Sequence, residues 1–121
     1  MKNKIFIQLN EINFEIVKKY LQNHNSKLKN FQKIISTFKS FETYGEENYH
    51  ELEPWIQWVS VYTGKKYSEH KIFRLGDIVN NKNLIQIFEK MENKGYKVGA
   101  ITPMNTENRL KNSSYFIPDP W

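Results

Sequence analysis

Apolar residues fall into compact groups separated by polar breaks. Ile5, Phe6, Ile7 and Leu9 make a short run rich in β-branched and aromatic residues. That length and composition predict a buried strand of the parallel-sheet kind. Residues 10–13 interrupt the run, and Asn13 is suited to cap a helix. Phe14, Val17, Tyr20 and Leu21 then recur at helical spacing with Ile16 beside them, while Lys18, Lys19 and Gln22 face away. A second short helix is predicted around Leu28, Phe31, Ile34 and Ile35. Residues 37–44 alternate and are rich in β-formers, which predicts a strand ended by Gly45. Residues 46–50 read as a polar loop.

The clearest helix lies between Pro54 and Gly64. Proline suits the first helical position, where its missing N–H has no intrahelical partner to lose. Glycine suits the position after the last turn, where the chain turns left-handed. Trp55, Ile56, Trp58, Val59, Val61 and Tyr62 make this helix apolar on nearly every side, so it is predicted to be buried at the centre of the fold. Free N–H groups at its amino end favour an anion. An ordinary capped core helix accounts for the same residues and is the commoner outcome. Residues 65–70 read as a polar loop. Leu84, Ile85, Ile87, Phe88 and Met91 predict a helix stopped by Gly95, and residues 96–102 another buried strand. Residues 104–109 suit the start of a short helix, and residues 115–117 one more strand. Strands separated by helices imply a small, mostly parallel sheet with right-handed crossovers and helices on its faces, an α/β architecture.

Composition narrows the class. The chain has 121 residues, 39% hydrophobic and 15% aromatic, enough for one folded domain spanning residues 1–121. The net charge of +5 permits binding to anionic surfaces without specifying it. Specific nucleic-acid recognition is not expected, because the lysines are scattered and Arg74 and Arg109 are the only arginines. There is no cysteine, which excludes disulfides and thiolate metal sites. No apolar run approaches the roughly 18 residues of a membrane span, and the apolar run at the start is too short for a signal peptide. A cytoplasmic location follows as the default.

Residues 53–73 resemble the nucleophile-helix segment of the alkaline phosphatase superfamily, which includes phosphodiesterases, nucleotide pyrophosphatases, sulfatases and phosphomutases. The matching residues are Thr63-Gly64 at the helix end and, six residues on, His70-Lys71-Ile72-Phe73. The resemblance covers most of the chain. It implies a three-layer α/β sandwich of which this is the amino-terminal portion, and the abrupt end at Trp121 is read the same way. It also implies a metal-dependent hydrolase or transferase of phosphate or sulfate esters. The expected partners are then a small anionic ester and either a missing carboxyl-terminal half or a second copy.

Ligands of an open parallel sheet bind beyond the carboxyl ends of its strands. Asn10-Glu11, the Glu53-Pro54 helix start and residues 102–105 are expected to meet there, with Asn10 and Asn105 as substrate-binding candidates. In Gln8-Leu9-Asn10-Glu11 the resemblance gives Glu11 the place of a metal-binding carboxylate, usually Asp, after the first strand. A carboxylate suits Zn, Mn, Mg or Ca; equally, Glu11 is an acid favoured near a helix start. The resemblance puts the hydroxyl nucleophile at position 54, where this chain has Pro54. Glu53 beside it is the catalytic candidate, as base or ligand, or else an acid on the helix dipole. Ser60, inside the helix, is expected to bond a backbone carbonyl. His70 is read as a structural residue bonding the loop. The further Asp and His ligands that the resemblance implies lie beyond this sequence. Two functions therefore compete: an esterase-type hydrolase incomplete and inactive as this chain alone, and a non-catalytic domain that binds a ligand or partner.

Overall fold

The computed structural model describes residues 3–24 and 27–120. Helices and a small parallel sheet supply its regular structure, so the chain is α/β. It divides into two compact units, residues 1–43 and residues 44–121. Trp121 lies outside the described residues.

The first unit contains α1 (Phe14–Asn23) and α2 (Lys29–Thr37). Asn13 caps α1 as its short polar side chain allows: Oδ1 accepts from the Glu15 and Ile16 amides at 2.9 and 3.1 Å. Phe14 meets Phe31 edge to face at 6.1 Å, so the apolar stripes of the two helices touch. Neither helix holds a fully buried residue. The strand predicted for residues 5–9 does not form. Those residues are irregular, and Ile5 is 85% exposed. The strand predicted for residues 37–44 is also absent, because Thr37 ends α2 and residues 38–44 are irregular. A strand exists only by hydrogen bonding to a neighbour. Composition can favour an extended backbone, but it cannot provide the partner.

The second unit is built on α3 (Pro54–Thr63), closed as the sequence predicts by left-handed Gly64. Ile56, Val59, Tyr62 and Thr63 form its buried face. It is not buried on every side: Val61 is half exposed and Trp58 half buried. The stretch read as a polar loop contains a helical turn, α4 (Tyr67–His70). The Glu46 carboxylate, 21 residues upstream, accepts from the Tyr67 amide at 2.7 Å. A cap so distant in sequence leaves no local signal. A 3-10 turn at Asp77–Asn80 precedes α5 (Ile87–Asn93). The predicted helix from Leu84 starts later, because Gln86 and Glu89 form a capping box at that point. Residues 104–109 are not helical.

β1 (Gly99–Ile101) and β2 (Tyr115–Ile117) pair in parallel, Ala100 opposite Phe116. Val59, Ile72, Ile78 and Leu84 form the core cluster. Rings extend it: Tyr62 lies 5.3 Å from Phe88, and Phe88 6.1 Å from Phe116. The helices α3 and α5 and the strand β2 are thus joined through side chains of one face each. No helix among the described residues is long and apolar enough to cross a membrane.

Candidate functional site

The amino end of α3 is the place to which the sequence assigns chemistry. Glu53 is its N-cap and makes no side-chain cap bond. Its carbonyl accepts from the Ile56 and Gln57 amides at 2.9 and 3.0 Å, and Pro54 has no N–H. Little of the usual donor set remains for an anion, and the adjacent carboxylate repels one. The segment after β1 does reach this helix end. Asn105, 5% exposed, donates from Nδ2 to the Trp55 carbonyl at 2.9 Å and to the Arg74 carbonyl at 3.3 Å. Its Oδ1 accepts from the Gly76 amide at 3.0 Å. The residue read as a substrate contact thus ties α3 to the 74–76 turn, with both side-chain ends occupied. Asn105 also has φ 49°, a left-handed conformation that asparagine tolerates better than most residues.

Below this end, Ser60 and His70 make the pairing most like a catalytic dyad. Ser60 Oγ lies 3.1 Å from Nε2 of the fully buried His70. The other ring nitrogen decides its meaning. The Ile72 amide donates to Nδ1 at 3.0 Å, so Nδ1 carries the lone pair. A neutral ring then carries its proton on Nε2 and donates it to Ser60 Oγ. A general base needs the reverse, with its lone pair facing the hydroxyl. Burial holds the His70 pKa below its usual range, against the opposing pull of Glu46 and Glu69. The geometry matches the structural role read from sequence, with the loop backbone as partner.

Two further polar residues went unnoticed in the sequence. Gln86, 1% exposed, reads the Glu107 backbone from both sides: Nε2 donates to its carbonyl at 2.9 Å, and Oε1 accepts from its amide at 3.3 Å. Arg109 spreads its guanidinium over the Leu84, Ile78 and Asn81 carbonyls at 2.8, 2.7 and 3.1 Å. Its Nε pairs with Glu107, which also pairs with Lys82. Lys82 first, and Arg109 with it, holds the Glu107 carboxyl below the usual range. A hint was present: an arginine in a lysine-rich chain marks a place where a planar fork is needed.

Asn10 and Glu11 form a turn before α1 in the first unit, with Glu11 exposed at φ 57°. Glu53 and Asn105 belong to the second unit. Among the described residues no group of three or more His, Asp or Glu side chains converges to hold a metal ion. No family model matches the chain, and neither a curated protein nor a solved structure does.

Proposed function

We propose that this chain is a non-catalytic domain that binds another protein surface. The observation that carries this reading is the engagement of its buried polar side chains. Thr63 bonds the Val59 carbonyl, His70 the Ile72 amide and Ser60, Gln86 the Glu107 backbone, and Asn105 three backbone groups. Each of these side chains is engaged in a structural bond, the His70 lone pair included, and Pro54 brings no hydroxyl. Apolar side chains stand in water instead: Ile5, Phe6, Ile7, Phe38, Phe41 and Tyr44 are each at least 58% exposed. Such exposure in two short stretches is characteristic of association surfaces. A second copy of the chain, or a further domain, supplies the partner surface.

Kinship with the alkaline phosphatase superfamily is part of the same proposal. Its support is a helix from Pro54 to Thr63, closed by left-handed Gly64 and followed by a turn ending at His70. In that kinship the small parallel sheet is the middle of a three-layer sandwich. A cytoplasmic setting belongs with it and accords with a cysteine-free chain.

The competing reading is a metal-dependent hydrolase or transferase of phosphate or sulfate esters, with Glu11 as ligand and Glu53 as base. One observation favours it: residues 102–105 reach the Glu53 end of α3, as such a site requires. Assay of the purified chain against aryl phosphate, bis-aryl phosphate and aryl sulfate, with each of Zn, Mn, Mg and Ca, separates the two. We expect no turnover. Metal-dependent turnover lost in Glu11→Ala establishes the hydrolase instead. A chain that stays monomeric at rising concentration and binds no apolar dye would remove the association surface.

A further inference from the structure

His70 joins two elements through nitrogens with opposite roles. Nε2 faces Ser60 in α3, and Nδ1 receives the Ile72 amide from the segment after α4. The ring is fully buried, and Tyr67 of α4 stands edge-on to it at 5.6 Å. The segment beyond Ile72 is held again one residue later, where Trp55 Nε1 donates to the Phe73 carbonyl at 3.0 Å. Residues 71–73 are therefore held by two bonds, one directly from Trp55 of α3 and one to the titratable His70 ring, which itself bonds Ser60 of α3.

We propose that His70 is a pH-sensitive latch: neutral, it holds residues 71–73 against α3, and protonated, it releases them. A proton added to the ring must go to Nδ1, the only nitrogen with a lone pair. That proton meets the Ile72 N–H head on, so a bond becomes a donor–donor clash. The new charge is also created without water around it. Glu46, from the segment before α3, and Glu69 of α4 favour the charged ring, while Lys71 opposes it. Tyr67 of α4 presents its ring, and α3 presents the Ser60 hydroxyl. Burial outweighs the two carboxylates, so the folded pKa lies below the ordinary value of 6.5. The sign follows from linkage. The open form takes the proton at about 6.5 and the closed form only at lower pH, so closure is complete above about 6.5 and is lost as pH falls through the folded value.

Amide exchange of the whole chain, corrected for intrinsic rates, tests this. The protection factor of the Ile72 amide should fall about tenfold per pH unit below about 6.5, then level off once the closed form also takes the proton. The Trp55 indole proton should follow it. The Lys90 amide of α5, bonded to the carbonyl of the capping residue Gln86, should not. In His70→Asn, whose Oδ1 can replace Nδ1 as acceptor without titrating, the fall should vanish. Flat Ile72 protection between neutral and acid pH, an equal fall at Lys90, or the same fall in His70→Asn each overturns the latch. Ring nitrogen shifts of the unmodified chain give a check independent of that variant's folding. A proton on Nδ1 at neutral pH overturns the proposal.

Discussion

Asn105 shows what a buried polar residue does when its neighbours are backbone. Its amide supplies donors to two carbonyls and an acceptor to one N–H, standing in for secondary structure that the 74–76 turn lacks. Asn105→Ala should lower stability by about 2–3 kcal/mol, since three backbone groups lose a hydrogen-bond partner. Asn105→Gly loses the same bonds but suits φ 49°, so it should be the milder change by about 1 kcal/mol. Urea denaturation midpoints of the two variants decide it, and equal costs would show that the backbone conformation carries no strain. Arg109 allows a parallel expectation. Lysine keeps the charge but not the fork over the Leu84, Ile78 and Asn81 carbonyls, so Arg109→Lys should cost about 2 kcal/mol. A cost near zero in the same assay would mean that charge alone suffices. The sequence placed Asn105 near the start of α3 but not its role. Spacing tells which residues sit at a loop, whereas hydrogen-bond partners 29 to 50 positions away are set by the fold.

At the scale of elements, helices were legible where period and caps agreed. The α1 cap at Asn13 and the α3 boundaries at Pro54 and Gly64 are local chemistry, complete within a few residues. Strands were not legible to the same degree, because the pairing of β1 with β2 is a relation between distant segments. Residues 5–9 carry as strong a β composition as residues 99–101 and stay irregular. The burial of α3 was overstated for a related reason: an all-apolar helix does not say which side faces the core. Ile56 and Val59 are fully buried, while Trp58 is only partly so. Ile56→Ala should therefore cost about 2–5 kcal/mol, and Trp58→Ala less than the value for a fully buried tryptophan. Reversal of that order in denaturation would place the core on the opposite face. At the end of the helix, Gly64 sits at φ 71° with open space where a Cβ would go. Gly64→Ala should cost about 1–2 kcal/mol, purely conformational; a much larger loss would reveal a contact at that corner.

At the scale of the whole chain, burial is unevenly shared. The buried hydrophobic residues Ile56, Val59, Tyr62, Ile72, Ile78, Leu84 and Ala100 all lie in residues 44–121, as do buried Thr63, His70, Gln86 and Asn105. The helices α1 and α2 contribute no buried residue. Their 10 and 9 residues are shorter than an isolated helix needs, about 12–15 residues even in favourable sequences, to persist in water. The cooperative transition of the protein should therefore belong to residues 44–121. A fragment of those residues should unfold in urea with nearly the midpoint of the whole chain. A peptide of residues 1–43 should show little helical circular dichroism by itself. The core it leaves behind is small, so the fragment should be marginally stable, and the loss of Ile56 or Asn105 should unfold a measurable share of it at room temperature. A fragment of residues 44–121 without a cooperative transition would show that the first unit, exposed apolar stretches included, supplies part of the core.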